Sequence, residues 1–466
     1  MNVLDVSLVI ASLLAAIWWM VARRRGSKAL DILSFAALGL AAITLAFEGR
    51  PWQLVPWQIV ALVVAAAAGL RRWRPEVSHR WSRVPGRIVL FVGILAGGLG
   101  MLTARVPSLP EPSGPLQVGS VVYRWTDPQR PEIFTAETED RRQVVAQAWY
   151  PSASTEGPPV PYFEAQGRLP ALIDSLPWFF FDGFGAVNTH ARTSPAVAAE
   201  RATWPVLLFL PGWGTPREQY TALCTDLASR GYVVVALSHP YESAVSLLDD
   251  GRVVGQAVQA SMLGTSMAQV AGIRAADSSF VLDQLNQLMQ TEPRSPLAGR
   301  LDLGHVGIVG HSLGGASAAQ VIANDSRFQV GVNIDGTLHD ALATARLDRP
   351  FLWLQSDGSQ QEHYVQVRDA LLGGLRAGGD LVVVGGSSHG SFTDLSTYWS
   401  PAGRVLLGEG GSQAGVITSI TGDIIDGFVA PRLGGSNDAS FEQALARHPS
   451  ASLERRVASA VGRRDE

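Results

Sequence analysis

Four long apolar stretches crowd the first hundred positions of this 466-residue chain, running Val3 to Ala22, Leu30 to Phe47, Pro51 to Leu70 and Ile88 to Ala104. Each approaches the ~17–25 residues that a helix needs to cross a bilayer, and no ionisable residue sits mid-span; Asp5 lies near an edge. The third is the shortest, because Pro51, Gln53 and Pro56 leave an apolar stretch of about 14 residues. Charged residues make up only 17% of the chain and the mean hydropathy is +0.14, an apolar excess concentrated before residue 105. These runs predict a bundle of about four transmembrane helices, with spans near 3–22, 30–47, 51–70 and 88–104.

Loop charges orient that bundle. Four basic residues lie in "RRRGSK", one in "EGR" and six between Arg71 and Arg87, whereas the fifteen residues after Arg105 hold none. Basic loops stay cytoplasmic, so the first and third loops face inward and both ends of the bundle face outward. The first run has no basic residues ahead of it and no small-x-small site before the arginines, so an uncleaved tether is expected rather than a signal peptide. The chain is thus expected in the cell membrane, multi-pass, with its larger part on the extracytoplasmic side. A net charge of −4 and a pI near 6.2 give no footprint for nucleic acid. The one cysteine, Cys224, excludes an internal disulfide and a thiolate metal cluster, and its helical surroundings suggest a buried thiol.

Pro107 to Pro115, "PSLPEPSGP", reads as a stiff linker over 106–116. Beyond it, a domain over 117–433 carries eight strand candidates: "VGSVVYRW", "VVAQAWY", "PVLLFLP", "YVVVALS", "HVGIVG", "QVGVNI", "PFLWLQ" and "DLVVVG". From the third onward they are continuous apolar runs, as strands buried on both faces of a parallel sheet should be. Helices are expected at Arg217–Ser229, Ile273–Gln290, Leu313–Asn324, Gln360–Leu375 and Val416–Phe428, the last ended by Pro431. Strands alternating with helices predict a doubly wound, mostly parallel eight-stranded sheet of the α/β-hydrolase type. The polar segment 434–466 reads as a disordered tail.

The pattern G-x-S-x-G occurs twice, at "GHSLG" around Ser312 and "GSSHG" around Ser388. A nucleophile elbow needs strand, tight turn, then helix, because the strained turn lifts the serine oxygen clear of the sheet. Only Ser312 has that context, with "HVGIVG" before it and "LGGASAAQVIA" after it. A serine nucleophile needs a base and a carboxylate to orient the base. Of the downstream histidines, His389 alone follows a strand, within "VVVGGSSHGSF"; His339 crowds Asp335, His363 falls in a helix and His448 in the tail. Asp335 and Asp357 close successive strands, and either position suits the acid. The N–H of Leu313, directly after the serine, is one oxyanion donor. No metal or organic cofactor is called for by this chemistry.

"GHSLGGA", "VNIDGTL" and "GSSHGSFTDLS", with "VVAQAWYPS", "LFLPGWG" and "SHPYESAVSLLDDGRVV", resemble the platelet-activating factor acetylhydrolase family, plasma type or isoform II. The likeness covers roughly Val144 to Tyr398. It implies that the acid follows the strand after the nucleophile helix, hence Asp335; cutinase-like polyester hydrolases would select Asp357. It also implies a second oxyanion donor at the Trp213 N–H in "PGWG", although Pro211 stands where relatives carry a side-chain donor. By resemblance, the substrate is a lipid or other ester with a short acyl chain. An acyltransferase or a polyester hydrolase would use the same site, and a non-catalytic membrane sensor or scaffold is the non-enzyme rival. "LPWFFFDGFGAVNTH" supplies Phe180 and Phe181 as an acyl-pocket wall, and His239 in "SHPYESAV" is a candidate for the site rim.

Overall fold

The computed structural model describes residues 3–21, 28–47, 52–73, 85–103, 106–173, 178–257, 267–338, 347–358, 362–400, 415–434 and 440–457. It comprises two compact units. One contains residues 1–107 with 175–186 and 398–407; the other contains the rest.

In the first unit, helices α1 (Val3–Val21), α2 (Lys28–Phe47), α3 (Val55–Trp73) and α4 (Pro85–Thr103) occupy the four apolar runs. Two of them, over Val3–Val21 and Lys28–Ala46, are long and apolar enough to cross a membrane; the apolar parts of the others, Val55–Leu70 and Gly86–Gly100, are shorter. Small residues line the helix contacts: Ala11, Ala15 and Ala16 of α1, Ala37 and Ala41 of α2, and Ala61 of α3 are buried. A Cβ on Gly97 would fall 2.6 Å from the Trp57 indole, so α4 approaches α3 closely only because that position is glycine. The large apolar side chains point outward instead, with Leu14, Leu62, Phe91 and Leu99 all more than half exposed. Asp31 in the first turn of α2 pairs with Arg72 in the last turn of α3 at 3.3 Å.

The second unit is built on a ten-stranded mixed sheet, two strands more than expected. In chain order the strands are β1 (Gln117–Pro131), β2 (Arg141–Ser152), β3 (Ala191–Thr193), β4 (Trp204–Leu210), β5 (Val233–Ser238), β6 (Leu301–His311), β7 (Phe328–Ile334), β8 (Phe351–Ser356), β9 (Gly379–Val384) and β10 (Ala451–Val457). Their spatial order is β10-β9-β8-β7-β6-β4-β5-β2-β1-β3, parallel from β9 through to β5. The added strands are β3, only three residues long, and β10, which pairs antiparallel with β9. The segment expected to be a disordered tail instead carries structure over residues 440–457, where "ASLERRV" forms a charged edge strand after a short helix, Phe441–Arg447. Its polarity is what an exposed edge requires, and that misleads a reading by composition.

Helices α5 (Thr221–Ser229), α6 (Met267–Thr291), α7 (Leu313–Asn324), α8 (Glu362–Gly373) and α9 (Val416–Leu433) cover the sheet. Helix α9 runs past Pro431 to Gly434, whose left-handed backbone stops it; a proline in the last turn forfeits one hydrogen bond without ending the helix. The Pro-rich linker is laid onto this unit. Ser113 N–H and Oγ–H both donate to Asp226 Oδ1, and Gly114 N–H donates to Ser229 Oγ at 2.9 Å.

Strand β4 lies between β5 and β6, so the chain leaves it in one direction and returns on its other side. Such a reversal opens a crevice at the C-terminal strand ends. Leu210 of β4 is in register with Gly310 of β6, and His311 of β6 with Ile334 of β7. The residues two past Leu210, two past Gly310 and one past Ile334 are thereby delivered together: Gly212, Ser312 and Asp335.

Candidate active site

Ser312 stands between the last residue of β6 and the first of α7 with φ 56° and ψ −127°, a conformation strained for any side chain. The surrounding glycines permit it. A Cβ on Gly314 would lie 2.0 Å from the Leu210 carbonyl oxygen, and one on Gly315 would lie 2.1 Å from Asn333 Oδ1. Both positions admit no side chain, so the second and third glycines of "GHSLGG" follow from packing.

His389 Nε2 lies 3.0 Å from Ser312 Oγ, and its Nδ1 lies 2.8 Å from Asp335 Oδ2. The imidazole side chain is 55% exposed, so solvent reaches the base, while the Asp335 carboxylate behind it is buried. Asp335 also takes a positive φ, 50°, and its oxygens accept the N–H and the Oγ–H of Ser356, each at 2.9 Å. Burial acts to raise this carboxyl, but the hydrogen bonds from His389 and Ser356 outweigh it and hold the group below its ordinary value. Asp357 is exposed and accepts the Gly386 N–H at 3.0 Å. Of the two acids left open by strand position, Asp335 is the one bonded to His389.

Leu313 opens α7, so its N–H is among those with no partner inside the helix. Gly212, next to Trp213, comes so near that an added Cβ would lie 3.3 Å from Ser312 Cβ. The Trp213 ring packs with Leu313, Val270 and Ala271, beneath the Arg274 guanidinium 5.9 Å away. Arg274 also donates to the Pro211 carbonyl at 2.6 Å and to Glu242 at 2.8 Å.

One expected substrate contact, His239, is buried. His239 is not at a rim: it is 1% exposed, and its Nδ1 lies 2.7 Å from Asp277 Oδ2, inside a buried network of Arg142, Arg274, Glu132 and Glu242. Burial, then the nearby Arg274 charge, lowers the His239 imidazole and keeps it neutral. Burial alone would raise Asp277, yet Arg142 and the His239 N–H hold it well below the usual carboxylate range. Phe180 and Phe181 belong to the unit of the N-terminal helices, where they meet Phe184 edge to face and Phe180 also lies at tilted angles against Tyr398 and Trp399. The rim expectation for His239 fails because sequence spacing shows that a residue follows a strand, but not which way its side chain faces.

Ser356, Tyr220, His311 and Arg274 have no counterpart in the sequence reading. His311 sits inside the elbow motif, but its bonding partners lie 78 and 91 positions away. Among the described residues, no group of three or more His, Cys, Asp and Glu side chains could hold a metal ion.

A serine on a strained strand-to-helix turn, an imidazole bonded to its oxygen and a buried carboxylate behind that imidazole are the arrangement of the α/β-hydrolase class. The sequence matches the family described as platelet-activating factor acetylhydrolase, isoform II, over residues 107–251 and 277–415, and the chain belongs to that family. It is 26% identical over 253 residues to a probable 1-alkyl-2-acetylglycerophosphocholine esterase of Arthroderma benhamiae, covering 51% of this chain and 62% of that one. The platelet-activating factor acetylhydrolases of Cavia porcellus and Canis lupus familiaris are 23% and 25% identical, over 62% and 59% of this chain and 69% and 66% of theirs. The chain thus spans about two-thirds of the length of these relatives. A solved ferulic acid esterase from Streptomyces cinnamoneus superposes with a TM-score of 0.64 at 25% identity, over 75% of this chain and 100% of the other.

Proposed function

We propose that the protein is a membrane-anchored serine carboxylester hydrolase that cleaves short-acyl or lipid-like esters, with its catalytic unit outside the cytoplasm. The observation that carries this reading is the hydrogen-bonded series Ser312–His389–Asp335, at 3.0 and 2.8 Å, on the strained elbow. Ser312 Oγ attacks the ester carbonyl while His389 Nε2 takes its proton. Asp335 Oδ2 holds the Nδ1–H and stabilises the imidazolium. The N–H groups of Leu313 and Trp213 receive the oxyanion, and collapse expels the alcohol with the proton returned by His389. Water, activated by the same imidazole, then attacks the acyl-enzyme and regenerates Ser312.

The substrate class is carried over from relatives named for acetylhydrolase and acetylglycerophosphocholine esterase activity. Anchoring by four spans is supported by the outward-facing apolar side chains of α1 to α4 and by the small-residue contacts between them. The Asp31–Arg72 pair supports placing the first and third loops at the same end of the bundle, and the loop charges support placing that end inward. Phe180 and Phe181 complete the reading as an apolar contact for the acyl chain.

A ladder of p-nitrophenyl esters from acetate to palmitate tests it. Wild type is expected to favour short chains and Ser312→Ala to be inactive; equal rates in both remove Ser312 from the mechanism. Replacing Phe180 and Phe181 together by Ala is expected to shift the chain-length profile, and an unchanged profile removes them from it. For sidedness, Cys224 is buried, so a cysteine at exposed Glu156 reports alone. It should react with an impermeant maleimide in intact cells; protection there contradicts the orientation.

A further inference from the structure

Two side chains that touch no reacting atom join the loops on either side of Ser312. The Gly212 N–H donates to Tyr220 Oη at 3.0 Å, Tyr220 Oη lies 2.8 Å from His311 Nδ1, and His311 Nε2 lies 3.0 Å from the His389 carbonyl oxygen. The proton inventory fixes every direction. A carbonyl only accepts, so His311 Nε2 carries the hydrogen, and the neutral ring then offers Nδ1 as an acceptor. The single Tyr220 proton goes there, leaving its lone pair for Gly212. Both side chains are buried, and the His311 ring lies against the His389 ring with centroids 4.6 Å apart. Burial and then the neighbouring His389 push the His311 imidazole down to about 3, while burial raises the Tyr220 hydroxyl. The relay therefore keeps its protons across the neutral range.

We propose that Tyr220 and His311 are positioning residues that hold the oxyanion loop at Gly212 and the base loop at His389 in one fixed relation. The proposal rests on the serine-hydrolase reading above. One end of the relay fixes the peptide beside the Trp213 donor, and the other fixes the backbone of the base itself. Three bonds in series mean that losing either side chain cuts the link between the two loops and leaves the other side chain without the bond that orients it. Reacting groups displaced by about 1 Å can lose as much as a hundredfold in rate.

The test compares Tyr220→Phe, His311→Leu, the double variant, His311→Gln and Tyr232→Phe on p-nitrophenyl acetate, with fluorophosphonate labelling of Ser312 alongside. Tyr232 is the control: it is a buried tyrosine whose hydroxyl donates to Asp426 at 2.7 Å, outside the relay. Each relay variant is expected to lose about tenfold or more in kcat with KM little changed. The double variant should be no slower than the worse single one, because the bonds act in series. His311→Gln, which keeps a donor and an acceptor, should recover part of the loss. Tyr232→Phe should lower the melting temperature without lowering kcat. Losses that multiply in the double variant, or that Tyr232→Phe reproduces, overturn the proposal. Amide exchange in residues 389–393 gives a reading without turnover: faster exchange in Tyr220→Phe supports the relay, and unchanged exchange overturns it. A wild type that neither hydrolyses nor labels at Ser312 overturns the hydrolase reading and this proposal with it. An active wild type with unimpaired relay variants overturns the relay alone.

Discussion

Replacing Asp335 by Asn changes one atom, and the structure says what that atom does. Asp335 Oδ1 accepts the Ser356 N–H, so the amide oxygen must take that place; reversing the amide would set two donors head-on in a buried site, at a cost of about 1–3 kcal/mol. The NH2 group then occupies the Oδ2 position, 2.8 Å from His389 Nδ1. A donor there forces Nδ1 to accept, which moves the imidazole proton to Nε2, facing Ser312 Oγ at 3.0 Å. The base then presents a proton where it should take one. In serine proteases this wrong tautomer lowers kcat by about 10⁴, which at ~1.36 kcal/mol per decade is ~5.5 kcal/mol of transition-state stabilisation. The assay is kcat on p-nitrophenyl acetate for Asp335→Asn beside Asp357→Asn. Asp357 accepts a single N–H from Gly386, a bond an asparagine oxygen can also accept, so its variant should keep nearly full activity. A larger loss at Asp357 than at Asp335 would refute the reasoning.

Ser312→Gly removes a side chain from a backbone that only glycine adopts freely, so it should abolish hydrolysis yet stabilise the fold by about 1 kcal/mol in a denaturation curve. Gly315→Ala should cost about 2 kcal/mol or more in the same measurement, because its Cβ would press on Asn333, whose side chain holds the Gly336 backbone. Arg142→Met leaves Glu132, Glu242 and Asp277 buried without their shared cation, with an expected loss of about 3–5 kcal/mol. Burial raises the Asp394 carboxyl to about 7, above its value of about 4 when unfolded. The folded state therefore binds the extra proton between those values, and stability should decline as pH rises from about 4 to about 7. Asp394→Asn should flatten that part of a melting-temperature profile, and an unchanged slope assigns the dependence to another group.

Some of this molecule is written in short stretches of sequence. A continuous apolar run such as "PVLLFLP" reads as a doubly buried strand whatever surrounds it, and "HVGIVGHSLGG" encodes strand, turn and helix start within a dozen residues. The four apolar runs likewise announce helices α1 to α4, because an unbroken apolar stretch of that length is a property of composition alone. Other elements were opaque. "ASLERRV" is polar because it is an edge strand, and its partner β9 lies about 70 positions earlier, so composition suggested disorder.

Strand position left the acid between Asp335 and Asp357, and it was a family resemblance that favoured Asp335; only the register of β7 against β6 and β8 brings that side chain to His389. His239 ends a strand as a rim residue would, yet its ring turns inward to Asp277. Tyr220, His311 and Arg274 carry no local signal, since their bonds to Gly212, His389 and Pro211 become visible only when strand ends converge. The sequence by itself therefore determined the helices, the main strands and the elbow, all set by interactions within a few residues. Which side chains meet at the serine, and what holds them there, was decided by tertiary structure, because directional bonds between distant segments depend on sheet order and register rather than on spacing along the chain.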